Sequence, residues 1–123
     1  MATIAKVVTK LGSYPETAYM VVWEALTTTN ADGAPAELVA YSDRSVQVVG
    51  TFDGASLQLQ GSNDGINYKV LTDPQGNALT FTATNIESIA ELTRYIRPAI
   101  TVNGAGSVDL DVYVLASGVR TGG

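Results

Sequence analysis

The stretch "SVDLDVYVL", residues 107–115, alternates apolar and polar residues over its whole length. Every second position is apolar, and these positions are Val108, Leu110, Val112 and Val114. The residues between them are Asp109, Asp111 and Tyr113. Because successive side chains of a strand point to opposite faces, this spacing predicts a strand with one buried and one wet face. Such strands are typical of antiparallel sheets.

The same period of two recurs elsewhere. "SLQLQ" (56–60) places Leu57 and Leu59 on one face of a predicted strand. Two richer apolar runs, "YMVVWEALT" (19–27) and "SVQVVGTF" (45–52), predict central strands that are buried on both faces. The set is completed by "NYKVLT" (67–72) and "RYIRPAITV" (94–102).

Turn residues separate these runs. "FDGAS" (52–56) and "SNDGIN" (62–67) contain the Asp-Gly pairs that are typical of hairpin turns. "DPQGN" (73–77) and "NGAGS" (103–107) predict two further turns. A calcium loop would carry acidic ligands at alternating positions and a final Glu, which "DGINYKVLTD" lacks. The residues that we assign to structural turns are Asp53, Gly54, Asn63, Asp64 and Gly65.

One segment has a helical signature. In "TNIESIAEL" (84–92), Thr84 and Glu87 have the spacing of a capping box. Ile86, Ile89 and Ala90 would share the apolar face, and Glu87 and Glu91 the wet face. The sequence therefore predicts an all-β fold, an antiparallel β-sandwich or jelly-roll-like domain with one short helix.

A chain of 123 residues is the size of one domain. We expect residues 1–18 to form an N-terminal arm or edge strand, 19–116 the β-sandwich, and 117–123 a flexible C-terminal tail. The sequence shows neither a signal peptide nor an apolar run of the roughly 20 residues that a membrane span needs. We therefore expect no membrane partner.

The composition argues against several functions. A net charge of −5 with only seven Lys and Arg residues is unsuited to wrapping nucleic acid. The chain contains no Cys and no His, which removes thiolate sites, the usual zinc ligands and a Ser-His triad. We expect no catalytic residue, no cofactor and no metal. Only 15% of residues are charged, which suggests that part of the surface is covered by a partner.

Three features leave alternatives open. Asp109 and Asp111 would lie about 7 Å apart, either as a hydrolase pair or on a solvated or subunit-facing edge. Trp23 is either a core residue or a platform for sugar stacking. Arg94 and Arg97, spaced by three, would lie on opposite faces of a strand and serve an interface or an intramolecular ion pair.

The run from Ser45 to Ala116 resembles small virion structural proteins of tailed bacteriophages. The resemblance rests on an ordered series: "GTFDGA" (50–55), "LQGSNDG.NY..L.D..G" (59–76), a short isoleucine-containing helix, "RYIRP" (94–98) and a final alternating strand. Proteins that look like this include head decoration (cement) proteins, which are β-sandwich or jelly-roll modules. The resemblance implies a homotrimer on the capsid surface of the virion, bound to the major capsid protein and made in the bacterial cytoplasm.

A second resemblance implies a different class. "LQLQGSNDGINYKVL" (57–71) looks like the hairpin of discoidin-type and carbohydrate-binding sandwiches. It implies a glycan-binding or tail-associated adhesion module. For the first class, we expect residues 2–18 to dock against a neighbouring subunit or the capsid. The candidate interface residues are Ile4, Val7, Tyr14, Arg94 and Arg97.

Overall fold

The computed structural model describes residues 3–11, 18–38 and 43–117, and these form twelve strands in two sheets. In chain order the strands are β1 (Thr3–Ile4), β2 (Lys6–Leu11), β3 (Ala18–Leu26), β4 (Asp32–Gly33), β5 (Ala36–Glu37), β6 (Asp43–Thr51), β7 (Ser56–Ser62), β8 (Lys69–Val70), β9 (Thr80–Phe81), β10 (Asn85–Ile89), β11 (Tyr95–Val102) and β12 (Asp109–Ser117).

The five-stranded sheet has the order β10-β6-β12-β3-β2, and every neighbouring pair in it is antiparallel. The other sheet contains seven described strands, of which five follow the path β1-β4-β11-β7-β8. On this second sheet β5 also pairs with β11, and β9 also pairs with β7. The pairing of β1 with β4 is parallel.

The core lies between the two sheets and confirms the predicted β-sandwich. All four apolar positions of the alternating stretch, Val108 through Val114, are buried, as are Leu57 and Leu59 of the facing sheet. Trp23 is fully buried, and its indole N–H donates to the carbonyl oxygen of Ala34 at 2.8 Å. Burying a large apolar side chain contributes about 1.5–3 kcal/mol, so these inner faces supply the main stabilisation of the fold.

The predicted short helix over 84–92 is wrong. Asn85–Ile89 forms β10, antiparallel to β6, and Ile86 and Ile89 fall on opposite faces, exposed and buried. A helix of so few residues nucleates poorly, whereas pairing satisfies the backbone groups of β6 and suits β-branched Ile. The Glu87 carboxylate accepts from the Asn85 side chain at 3.1 Å instead of capping a helix.

The turn at Asp53 and Gly54 has the predicted geometry but a different role. Both residues have positive φ, 46° and 90°, as a two-residue Asp-Gly turn requires. The flanking strands β6 and β7, however, belong to different sheets, so the turn crosses the sandwich and closes no hairpin. The carbonyl oxygen of Asp53 accepts from Ala105 N in the other loop at this end, at 2.9 Å.

Three strand predictions need correction. The runs 19–27 and 45–52 were expected to be buried on both faces, but in β3 and β6 only one face is. Val22 is half-buried and Gln47 is exposed, because the outer face of the five-stranded sheet has no covering layer among the described residues. In the run 67–72, only Lys69–Val70 forms a strand, and Thr72 adds an isolated bridge to Ala78.

The described part of the predicted N-terminal arm or edge strand divides between the sheets. β1 lies at one edge of the seven-stranded sheet and β2 at one edge of the five-stranded sheet. Ile4 is half-buried and packs against the core. The predicted interface residue Tyr14, and the predicted tail beyond Ser117, lie outside the described residues.

Candidate binding surfaces

The turn at Asn63–Gly65 joins β7 to β8, which pair as an antiparallel hairpin. Asp64 Oδ1 accepts from the backbone N–H groups of Ile66 and Asn67 and from the Ser62 hydroxyl, each at 2.8 Å. These hydrogen bonds, the one from Asn67 N foremost, hold the pKa of the Asp64 carboxyl well below its usual range. The Asp64 carboxylate therefore fixes the conformation of the loop, as an Asp side chain commonly does in a turn.

A second surface lies on the outer face of the seven-stranded sheet, and we call it the arginine–tyrosine face. Its members are Gln58, Gln60, Tyr68, Tyr95 and Arg97. Arg97 and Gln60 are register partners on β11 and β7, and Tyr95 lies on the same side of β11 as Arg97 because the strand period is two.

Arg97 is held in one orientation on this face. Its guanidinium carbon lies 4.0 Å from the centroid of the Tyr68 ring, within cation–π range. Its Nε donates to Gln60 Oε1 at 3.0 Å, and Gln60 Nε2 donates to Gln58 Oε1 at 3.2 Å. Among the described residues no carboxylate lies within ion-pair distance of Arg97. The Nη edge of the guanidinium is thus available for an acceptor on another molecule.

The ring of Tyr68 packs against the guanidinium of Arg97. Burial raises the pKa of the Tyr68 hydroxyl, and the nearby charge of Arg97 partly offsets the increase. The hydroxyl oxygen is buried, and none of the residues that the structure describes hydrogen-bonds to it. The role of Tyr68 here is thus the contact of its ring with Arg97, and the buried hydroxyl without a described partner lowers the stability of the fold.

Arg94 has a different environment. Its Nε donates to Glu37 Oε2 at 2.7 Å, and its guanidinium carbon lies 5.2 Å from the centroid of the Tyr95 ring. The hydrogen bond to Glu37 raises the pKa of Arg94. The expected opposite placement of the two arginines does not hold, because Arg94 precedes β11 and its guanidinium turns toward Tyr95. Arg94 is therefore in an intramolecular ion pair, whereas Arg97 has no carboxylate partner among the described residues.

The outer face of the five-stranded sheet carries exposed apolar side chains among polar ones, and we call it the outer apolar face. One row of register partners crosses all five strands: Val7, Val22, Tyr113, Gln47 and Ile86. The two ends of this row, Val7 and Ile86, are each 58% exposed. A shallow depression of about 210 Å³ lies beside the row and is lined by Met20, Ser45, Gln47, Ile86, Tyr113 and Leu115.

The acidic pairs considered in the sequence do not converge. Asp111 Oδ1 accepts from Ala25 N at 3.0 Å, whereas Asp109 is exposed. Glu91 accepts from the backbone N–H and hydroxyl of Thr72 at 2.8 and 2.5 Å. Although burial opposes it, these two hydrogen bonds lower the pKa of Glu91. Asp111 and Glu91 thus bind the backbone N–H groups of Ala25 and Thr72, and neither carboxylate is paired with another one.

Two kinds of feature are absent from residues 3–11, 18–38 and 43–117. No group of three or more His, Cys, Asp or Glu side chains is placed to hold a metal ion. No helix is long and apolar enough to cross a membrane.

Tyr68 and the two glutamines were not singled out in the sequence. Gln58 and Gln60 are the wet positions of "SLQLQ", but a polar face of a strand is ordinary and carries no functional signal. The pairing of Tyr68 with Arg97 joins residues far apart in the chain, so only the fold brings them together. The predicted interface residue Val7 is exposed at the edge of the outer apolar face.

The fold defines a two-sheet β-sandwich, and known structures share it. No protein-family model and no curated protein matches the sequence. The crystal structure of the SPBc2 prophage-derived protein YomS is similar, with a TM-score of 0.55 and 8% identity over 90% of this chain and 91% of that one. Protein NMB1881 from Neisseria meningitidis aligns with a TM-score of 0.39 and 11% identity, over 92% of this chain and 83% of that one. At 8% identity, the YomS comparison shows the fold alone.

Proposed function

We propose that this protein is a structural component of a tailed-bacteriophage particle that binds the outside of the capsid and stabilises the shell. The carrying observation is Arg97, an oriented arginine with no carboxylate partner among the described residues. Arg and Tyr are the residue types that dominate the energetics of protein interfaces. The ordered motifs from Ser45 to Ala116 and the fold shared with a prophage-derived protein support the assignment to a phage particle, and the capsid as partner follows from the resemblance to decoration proteins.

The mechanism is mass action. A protein that binds the assembled shell but not its free subunits lowers the free energy of the assembled state by its binding free energy. We propose that the arginine–tyrosine face meets an acidic patch of the major capsid protein. In the bound state the Nη edge of Arg97 pairs with a carboxylate while Tyr68 and Gln60 hold the guanidinium in place. The proposal involves binding alone and no chemical step.

The test is co-sedimentation of the protein with capsids of the phage that encodes it. Arg97→Gln should weaken binding about tenfold, which corresponds to about 1.4 kcal/mol. Arg94→Gln is the matched control, since Arg94 is already paired with Glu37. Wild-type binding should also weaken as the salt concentration rises, because exposed ion pairs are screened. Absence of binding to the capsids, or equal losses in both variants, would contradict the proposal.

A second candidate is a glycan-binding or tail-associated adhesion module. Tyr95, together with the amides of Gln58 and Gln60, offers the ring and polar groups that a sugar would contact. Two observations weigh against it: Trp23 is fully buried, and the guanidinium of Arg97 covers one face of the Tyr68 ring. A glycan array that gives a hit with wild type and none with Tyr95→Ala would favour this candidate.

A further inference from the structure

The two edges of the five-stranded sheet have complementary properties. Within the described residues, β2 pairs only with β3 and β10 pairs only with β6, so each strand has one side without a strand partner. On β10 the Ile86 N–H donates to Asn85 Oδ1 at 2.8 Å, a local hydrogen bond that an incoming strand would replace. Unpaired edges of this kind are templates for pairing with another chain. Most proteins prevent such pairing through the side chains of the edge strands. The side chains along each edge therefore indicate which strands can pair with it.

The outer apolar face ends in an exposed aliphatic residue at both edges. Val7 on β2 and Ile86 on β10 terminate the same row of register partners, and each is 58% exposed. If a second copy continued the sheet, Ile86 of one copy would lie beside Val7 of the next. The row would then run unbroken from copy to copy, and both ends would be removed from water.

The charges of the two edges are opposite. Among the described side chains, β2 carries Lys6 and no acidic residue, whereas β10 carries Glu87 and no basic residue. Glu87 and Val8 occupy the same inner row of the sheet, and Lys6 belongs to the next inner row. In the arrangement that joins Val7 to Ile86, Glu87 of one copy therefore lies diagonally opposite Lys6 of the other, within reach of a long side chain.

Symmetric pairing of two β10 edges is disfavoured by the charge of Glu87. Two β10 strands paired about Glu87 would bring the two carboxylates together. Like charges directly opposite each other destabilise a strand pair. Glu87 thus disfavours the symmetric contact while it favours the contact with Lys6, and specific interfaces exclude wrong partners in this way.

We propose that copies of this chain associate head to tail, with β2 of one copy lying against β10 of the next. All neighbours in the order β10-β6-β12-β3-β2 are antiparallel, so β2 and β10 run in the same direction. A copy that continues the sheet with the same face outward therefore pairs in parallel. Head-to-tail contacts close into rings when the rotation between copies allows it, and this contact would build the homotrimer expected from the phage resemblance.

The first measurement is the absolute mass of the wild-type protein by light scattering across a dilution series. The proposal expects a closed oligomer, with three copies as its limiting mass. A protein that is monomeric at every concentration would overturn the proposal. A dimer as the largest species would also overturn it, because a symmetric dimer pairs two copies of the same edge strand.

Charge reversal then tests the contact itself. Glu87→Lys and Lys6→Glu should each shift the wild-type oligomer to monomer, and the double variant Lys6→Glu/Glu87→Lys should restore it. Lys69→Glu, a reversal at an exposed position on the other sheet, is the control and should leave the mass unchanged. Failure of the double variant to reassemble, or no effect of either single reversal, would overturn the proposal.

The apolar contact between Ile86 and Val7 is tested by a separate pair of variants. Ile86→Lys should dissociate the oligomer, whereas Ile66→Lys should not, although Ile66 is 80% exposed and lies in the turn after Asp64. Circular dichroism of each variant verifies that the strands are intact. If a monomeric variant still binds capsids, the proposed function holds without this contact. If the wild-type protein forms the oligomer but binds no capsid, the contact is correct and the proposed function is wrong.

Discussion

The carboxylate of Asp111 on β12 holds Ala25 of β3 in a left-handed conformation. Asp111 Oδ1 accepts from the backbone N–H of Ala25 at 3.0 Å, and the φ of Ala25 is 63°. The register of β12 with β3 shifts at this point, between Leu110 and Val112, as it does at a β-bulge. A left-handed alanine costs roughly 1–2 kcal/mol, so the bulge depends on the hydrogen bond that satisfies its backbone.

Removing this acceptor should destabilise the protein. We expect Asp111→Ala to lower the free energy of unfolding by about 1–2 kcal/mol, because the Ala25 N–H loses its partner. Asp111→Asn keeps an acceptor oxygen and should cost much less. Ala25→Gly should be neutral or stabilising, since glycine adopts this φ without strain. Urea denaturation of the three variants measures these differences, and an Asp111→Ala protein as stable as wild type would contradict the role assigned to the carboxylate.

Two glycines with positive φ should respond very differently to substitution. A methyl group at Gly50 (φ 130°) would collide with the carbonyl oxygen of Asp109, whereas Gly76 (φ 90°) has no atom within 4 Å of that position. Gly76→Ala should therefore cost only the backbone strain, about 1 kcal/mol. Gly50→Ala adds overpacking against a neighbouring strand and should cost about 3 kcal/mol. Equal losses in thermal unfolding would show that the β6–β12 contact is looser than described.

Trp23 provides an intrinsic probe of the core, because it is the only tryptophan of the chain. The side chain is fully buried and its indole N–H is bonded to Ala34 O, so iodide should hardly quench its fluorescence in the folded protein. Trp23→Phe should cost a few kcal/mol through the lost volume and the unpaired carbonyl. Strong quenching in the native state would contradict the burial and would favour the sugar-stacking interpretation.

The sequence predicted the sandwich because alternation is a local property. The runs around Leu57, Leu110 and Val112 identify the core-facing side of their strands without knowledge of any partner. The segment around Ile86 was misassigned because its capping-box spacing is also local. The segment is a strand because it pairs with the edge of β6, and this tertiary contact is not encoded in the segment itself.

The sites were less predictable than the fold for the same reason. An Asp-Gly pair fixes the turn at Asp53, but not whether the chain turns within one sheet or crosses to the other. Arg94 and Arg97 look equivalent in the sequence. Only the positions of Glu37 and Tyr68, brought in from distant segments, make one of them an internal ion pair and the other an available cation.

Acid should weaken the hairpin loop through Asp64. The pKa of this carboxyl is lower in the folded protein than in the unfolded chain, where it is about 3.9. Its contribution to stability is thus complete above pH 4 and is lost as the pH falls through the folded value. Asp64→Asn should lower the Tm at pH 7, and its difference from wild type should shrink below pH 3. Asp109→Asn, at an exposed carboxylate with no hydrogen bond within the described ranges, is the control and should follow wild type throughout.

The ring of Tyr68, not its hydroxyl, should matter for the arginine–tyrosine face. Tyr68→Phe removes a buried hydroxyl that has no partner among the residues described, so it should leave stability unchanged or raise it by up to about 1 kcal/mol. The phenyl ring still stacks on Arg97, and capsid binding should be retained. Tyr68→Leu removes the aromatic platform, which should cost about 0.5–1 kcal/mol in urea unfolding and weaken capsid binding as Arg97→Gln does. If Tyr68→Leu bound capsids as tightly as Tyr68→Phe, the orientation of Arg97 by the ring would not contribute to recognition.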